Sequence, residues 1–591
     1  MENPKPRATT LARFLSAPRG MFDAAVARAS RPWSARGMGV PPMSDGAPRP
    51  PRVARRSHSR PSLVRAPMGA FRRSIALRLL CFFWPIGLGL STAAVVAAEP
   101  PPWAASEPPP NLIVILADDL GYADLGCYGS TTIATPRLDR MAREGLRFTD
   151  AYAAAPFCSP ARAALLTGRL PARAGLPYVL FPTEHHGLPA AEITIAELLR
   201  GRGYATACVG KWHLGWDAPF RPLAQGFDRF HGLPHTNDVR EWRIGDAFTQ
   251  LSMFAPLTRV EGERVVESPV DQAELTRHYT EEAVAFIRAN RARPFFLYLP
   301  HTMPHVPQYA SPRFAGKSRG GLYGDTVEEL DWSTGVILDT LRELQLDART
   351  LVIFTNDNGA PARAGGANTA KKSAKENFPG RQLAGSNGPL RAGKGTTYEG
   401  GVRVPFIAWW PGRIAPRAAV TAPISHLDLF PTFAALAGAP LPAGVTLDGA
   451  DVTALLLGTG TRAARPIYHY FGYQAQAVRD GKWKLILAVN ERPSPRPVSL
   501  WWEHNPAGFN TQHRLLAAPE LYDLEADIGE TNNLAASHPE VVARLTARAR
   551  EFDAALQRDK RPMQFVPGPP PPAPGTVRTV ETDVMRYRSA P

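Results

Sequence analysis

Four apolar runs constrain this chain more than any other feature: the unbroken Leu112 to Leu116, and the similar Tyr204 to Val209, Phe295 to Leu299 and Leu351 to Thr355. Continuous apolar runs of five or six residues are what a strand needs when both faces of its sheet are covered. Helical patterns such as Thr326 to Leu344 lie between them, and the alternation predicts an α/β fold with a large, mostly parallel sheet flanked by helices. Each run is followed at once by polar residues: Asp118-Asp119, Lys211 and His213, His301 and His305, and Asp357-Asn358. Ligands of open α/β sheets bind at the carboxyl ends of strands, so four such ends in one crevice would make a site for an anion and a metal. Past residue 461 the pattern changes to short strand-like pieces, Ile467 to Tyr470, Gln476 to Arg479 and Trp483 to Leu487, then a helix over Pro539 to Leu556. These read as a smaller C-terminal α+β domain.

The flanks carry no fold. Residues 1–67 are rich in Arg, Pro, Ser and Ala without apolar periodicity and read as a disordered or wrongly started extension. Residues 68–98 run from Met68 through Arg72-Arg73 and an apolar stretch to Val96-Ala97-Ala98, the pattern of a signal peptide. Pro85 and Gly87 interrupt that stretch, which is short for a stable membrane span. The expected location is therefore periplasmic or secreted. Residues 99–110 read as a linker, 111–460 as the catalytic domain, 461–560 as the C-terminal subdomain and 561–591 as a Pro-rich tail. The formal charge of +15 resides in the leader, where residues 1–98 hold 16 Lys and Arg against 3 Asp and Glu. The rest carries 52 against 50, too near neutrality to bind nucleic acid through counterion release from its phosphates. Cleavage near Ala98 leaves Cys127, Cys158 and Cys208, an odd number for an oxidising compartment.

One of the three has its own setting. In Cys158-Ser159-Pro160-Ala161-Arg162, serine and proline are helix-start residues, and Ala163-Ala164-Leu165-Leu166 continues the helix, so Cys158 is expected at a helix N-terminus that favours anions. A buried structural cysteine would fit the pentapeptide equally well. The segment matches the Cys-x-Pro-x-Arg signature, with Leu166-Thr167-Gly168-Arg169 extending it. With Ala117-Asp118-Asp119-Leu120-Gly121, Gly210-Lys211-Trp212-His213-Leu214-Gly215, Asp357-Asn358-Gly359 and the stretch from Leu390 to Gly401 around Lys394, the chain resembles the sulfatases of the alkaline phosphatase superfamily, in their arylsulfatase A type. Leu427-Asp428-Leu429-Phe430-Pro431-Thr432 and Tyr522-Asp523-Leu524 extend the resemblance from about Asn111 to Leu534.

That resemblance implies a sulfuric ester hydrolase cleaving sulfate monoesters, with Cys158 matured to formylglycine by a formylglycine-generating enzyme. It implies one Ca²⁺ per chain held by Asp118, Asp119, Asp357 and Asn358, an all-oxygen set that suits a hard cation; Mg²⁺ competes but demands a stricter octahedron. Taken singly, Asp118-Asp119 is also a helix cap and Asp357-Asn358-Gly359 a β-turn. Arg162, Lys211 and Lys394 are implied to neutralise the reacting oxyanion, His305 to protonate the leaving alcohol, and His213 to orient the hydrated aldehyde and take its proton. Lys211, His305, Lys394 and Thr236 are the implied substrate contacts, Thr236 standing where the pattern has a serine; His301 competes with His305 for one role. The substrate class is a sulfated small molecule or sulfated carbohydrate. Residues 361–386, with Lys371, Lys372, Lys375 and Arg381, read as a long loop that could greet a polyanion, and equally as a solvated insertion. The competing functions are a phosphatase or phosphonate monoester hydrolase of the same superfamily, and an unmatured polyanion-binding protein.

Overall fold

The computed structural model describes residues 108–566 apart from 183, 239–240, 245–246, 251–255, 362–384, 417–418, 463 and 492–511. The expected extension and signal peptide, most of the expected linker, most of the 361–386 loop and residues 567–591 of the expected tail lie outside the described residues. Among the described residues no helix is long and apolar enough to cross a membrane.

Nine strands form the main sheet: β1 Asn111–Ala117, β2 Leu146–Phe148, β3 Ala205–Lys211, β4 Arg229–Leu233, β5 Arg259–Glu261, β6 Arg264–Glu267, β7 Phe295–Pro300, β8 Thr350–Asn356 and β9 Phe406–Trp409. Their order across the sheet is β6-β5-β4-β3-β7-β1-β8-β9-β2. The four strands expected from the apolar runs lie side by side at its centre, and every pairing among them is parallel, as is β3 with β4. The edges are antiparallel: β8 with β9, β9 with β2, β4 with β5 and β5 with β6. The sheet is therefore mixed: β9 pairs antiparallel on both sides although Phe406–Trp409 is as apolar and as buried as the central runs.

Burial explains the central pattern. Along β1, Leu112, Val114 and Leu116 enter one core and Ile113, Ile115 and Ala117 the other, so no position faces water. One core is closed by α1 Pro136–Glu144, α3 Leu275–Ala289 and α4 Gly321–Glu343, through residues such as Met141, Phe286 and Leu330. The opposite core is closed by α2 Cys158–Thr167 and α5 Leu429–Leu436, through Leu165, Leu166, Phe430 and Phe433. Each fully buried Leu, Ile or Phe contributes about 1.5–3 kcal/mol, and truncating Ile115 to Ala would lose that and leave a cavity. Asn111 joins the three central strands below this layer, donating to Thr350 Oγ1 at 3.0 Å and accepting from Phe295 N at 3.3 Å.

A second, separate sheet has the order β10 Ile467–Phe471, β11 Gln474–Asp480, β12 Trp483–Glu491 and β13 Gln512–Asp523. Helix α6, Pro539–Asp559, covers one face of it through Val541, Leu545 and Ala549 against Val478, Leu485 and Leu521. The other face presents Ala477, Ile486 and Tyr522, with Tyr398 of the larger domain packed against them.

Candidate active site

The central order β3-β7-β1-β8 sets four strand ends next to each other, and the polar residues that follow them meet there. Two of those residues sit in left-handed backbone, Asp119 at φ 63° and His213 at φ 59°, a conformation that non-glycine residues adopt where the surroundings hold them. Gly210 lets β3 approach β7, since a Cβ there would lie 1.9 Å from Pro300 O. Gly359 plays the same part beside Asn358, because its Cβ would meet Gly400 O at 1.8 Å.

Cys158 is the first residue of α2, buried, with Phe157 in extended backbone before it. Its Sγ lies 3.6 Å from Asp118 Oδ1 and 3.4 Å from Lys394 Nζ. Cys127 and Cys208 are also free thiols. Lys211 Nζ donates to Asp118 Oδ2, and Arg162 Nη2 lies 3.2 Å from the same oxygen. Arg162 also holds Asp357 Oδ2, through Nε at 3.1 Å and Nη2 at 2.9 Å, while its Nη1 donates to Lys211 O at 2.8 Å. Lys394 Nζ donates to the Asp119 carboxylate at 2.7 Å, and Asn358 Nδ2 donates to Asp119 Oδ1 at 2.7 Å.

Both nearby histidines have a defined proton pattern. His305 Nδ1 faces two acceptors, Asn237 Oδ1 at 3.1 Å and Val306 O at 2.6 Å, so the proton belongs on Nδ1 and Nε2 is left 3.6 Å from Asp119 Oδ2. His213 Nε2 donates to Leu180 O at 2.9 Å, and its buried Nδ1 has no hydrogen-bond partner. Burial, reinforced by Lys211, holds the His213 imidazole well below its usual range, so it is neutral with a free lone pair. Burial opposes ionisation of Asp118, yet Lys211, His305, Arg162 and Lys394 together pull it far below the ordinary carboxylate range. Asp357 goes the other way, to about 7, through burial and then the neighbouring Asp118 charge. Burial also raises the Cys158 thiol despite Lys211 and Lys394, so the unmodified cysteine is a poor nucleophile.

Asp118, Asp119, Cys158 and His305 bring one possible ligand atom each within 4.8 Å of one another; the two carboxylates in this group are donors of the kind a hard cation takes, and Asp357 is joined to Asp118 through Arg162. Asn358 Oδ1 is buried without a partner, an orphaned acceptor of the kind a cation satisfies. The carboxylates of Asp118, Asp119 and Asp357 stand against Arg162, Lys211 and Lys394 and offset much of their charge, so a divalent ion held there would add to the attraction for an anionic ligand.

Ten of the eleven residues expected from the sequence are thus in or beside one cluster. Thr236 differs: its hydroxyl donates to Asp238 Oδ1 at 2.8 Å, and its neighbour Asn237 is the one that reaches His305. His301 lies apart, buried against Ser333 at 3.4 Å. Two asparagines escaped the sequence reading. Asn237 is braced by Gln272 Oε1 at 3.0 Å and Pro307 O at 3.1 Å; Asn356 accepts from Leu120 N at 3.1 Å and donates to Leu120 O at 2.7 Å and to Asn358 O. The polar Asn356 at the end of an apolar strand was the available signal for the second.

Comparison with known proteins gives a consistent result. Residues 110–439 match the family model described as Sulfatase, and residues 462–569 the one described as the C-terminal region of aryl-sulfatase. Human (Homo sapiens) arylsulfatase A is 41% identical over 488 residues, covering 75% of this chain and 88% of its own. Mouse (Mus musculus) steryl-sulfatase is 38% identical over 533 residues, covering 75% and 82%. A solved Bacteroides thetaiotaomicron structure, described under the metabolism of multiple glycosaminoglycans, superposes with a TM-score of 0.61 at 31% identity, covering 76% of this chain and 100% of that one.

Proposed function

Because the chain belongs to the sulfatase family and is a hydrolase of sulfate esters, we propose that its active site is the cluster around Cys158, acting on sulfate monoesters of the aryl type. In this reading a formylglycine-generating enzyme matures Cys158 to formylglycine, whose hydrate supplies the nucleophile, and one Ca²⁺ held by Asp118, Asp119, Asp357 and Asn358 supplies Lewis-acid stabilisation of the sulfate oxygens.

The chain's own residues then divide the work by geometry. Lys394 binds a sulfate oxygen, since its Nζ stands between Asp119 and position 158 and is the least enclosed of the three cations. Lys211 neutralises charge beside Asp118. Arg162 holds Asp357 and the carbonyl of Lys211, which assigns it to positioning more than to substrate contact. His305, with its Nδ1–H held by Asn237 and Val306, takes a second proton from solvent on Nε2 beside Asp119 and delivers it to the departing alcohol. His213 takes a proton at its unpartnered Nδ1 when sulfate is expelled. The substrate is a sulfated small molecule or a sulfated carbohydrate, met after export to the periplasm or beyond.

The single observation that carries this reading is Lys394 Nζ within reach of both Asp119 and Cys158 Sγ, at the head of a buried helix. Cys158→Ala is expected to abolish turnover of nitrophenyl sulfate while leaving the melting temperature unchanged, because Ala is tolerated at a helix start. Peptide mass spectrometry of the protein from its native host is expected to show the aldehyde or its hydrate at 158. An intact thiol there, or phosphate turned over faster than sulfate, would refute the assignment.

A further inference from the structure

Between the Asp357-Asn358 pair and Lys394 the described chain is interrupted after Pro361 and resumes at Gly385, yet the two ends of that span are fastened to each other with high specificity. The fastener is Asn387. Its buried side chain accepts from Ala360 N at 3.1 Å and donates to Ala360 O and to Ala392 O, both at 3.0 Å. A primary amide presents an acceptor and two donors in one plane, so it can satisfy one residue's N–H and C=O and still hold a second strand. Lys394 N donates to the same Ala360 O at 3.0 Å. Ala360 follows Asn358 by two residues, Ala392 precedes Lys394 by two, and Ala392 is held at φ 58°, where a non-glycine residue needs its surroundings to keep it. Asp124 secures the adjacent residue, accepting from Ser386 N at 3.0 Å while it also accepts from Gly121 N at 2.9 Å.

We propose that Asn387 is a positioning residue for the reaction: it locks the backbone that carries Lys394 to the end of β8, so that Nζ stands at its place between Asp119 and position 158. The inference rests on the reading that Lys394 acts on the sulfate. A long lysine stem has many rotamers, and its head is placed only as well as its Cα. With Ala360 bound both to Asn387 and to Lys394 N, the backbone after β8 and the backbone that carries the lysine are held to each other.

A double-mutant cycle on the matured full-length enzyme tests this, with nitrophenyl sulfate as substrate. Asn387→Ala and Lys394→Ala are each expected to lower kcat/KM by about 100-fold, mainly through kcat, the size of a displaced charge-stabilising group. The double variant should fall within about 3-fold of Lys394→Ala, since a residue acting through the lysine has nothing left to position. Losses that multiply in the double variant overturn the proposal, as does an Asn387→Ala enzyme with wild-type kcat. Wild-type turnover by Lys394→Ala overturns the lysine's own role, an outcome independent of residue 387. Asn387→Asp is the second variant should Asn387→Ala not fold: it keeps the acceptor for Ala360 N and loses both donations. It is expected to lose kcat, and wild-type kcat in it also overturns the proposal.

Discussion

Asp118 has no exposed surface and is still ionised, because Lys211 and Arg162 touch one of its oxygens while Lys394 and His305 stand nearby. Asp357, sharing Arg162 with it, is left at about 7 by burial and by the charge of Asp118. One guanidinium between two buried carboxylates does not satisfy both, and the proposed divalent cation would add a further positive charge beside them. The residues that hold such a site in register carry no charge. Asn356 ties Leu120, next to Asp119, to the carbonyl of Asn358, and so couples the two halves of the proposed ligand set. Removing an outer partner of this kind commonly weakens metal binding by about 10- to 100-fold. Asn356→Ala is therefore expected to raise the calcium concentration needed for half-maximal thermal stabilisation of the EGTA-treated protein by that factor. An unchanged calcium midpoint would show that Asn356 does not support the site.

At the scale of elements, the C-terminal sheet is joined to the larger domain by buried charge. Lys484 on β12 is fully buried and bridges Glu399 Oε1 at 2.7 Å and Glu530 Oε1 at 3.0 Å. Glu399 opens the short helix Glu399–Val402 that follows the Lys394 segment; its other oxygen accepts from Tyr152 OH at 2.7 Å and lies 3.1 Å from Arg403 Nη1. Arg403 and Arg479 then share Asp150, at 2.8 and 2.5 Å. Removing one member of such a buried network leaves a charge without its partner, which costs about 3–5 kcal/mol. Lys484→Met should lower stability by that amount in denaturant unfolding, with the loss smaller in Lys484→Met combined with Glu399→Gln. If Lys484→Met were neutral, the network would not be what joins the two sheets.

The whole molecule should be acid-sensitive for a reason separate from its active site. Burial pulls His186, His231 and His235 down to about 4 and His301, His426 and His469 to about 3, from an ordinary value of 6.5. These rings are neutral in the fold, so their contribution is fully present above pH 6.5. As pH falls toward 3 to 4 the unfolded chain takes up protons that the folded chain refuses, and stability is lost at about 1.4 kcal/mol per unit for each ring. The melting temperature is expected to be level near pH 7 to 8 and to fall steeply between pH 6 and 4.5; a flat profile there would contradict the buried neutral rings. Much of this protein was legible in its residues. The runs ending at Leu116, Val209, Leu299 and Thr355 had to be covered on both faces, since apolar residues at both parities leave no face for water, and they form the centre of the sheet. The same text carried the candidate residues, because strand ends and a helix start have local signatures. It did not reveal that the four ends are neighbours in the order β3-β7-β1-β8, nor the antiparallel edges, nor that Asn237 meets His305. Those depend on strand pairing and on hydrogen bonds between residues tens to hundreds of positions apart, as with Asn356 and Leu120 or Lys484 and Glu399. A sequence specifies which groups must be buried or paired; which partner each one finds is decided only when the chain closes on itself.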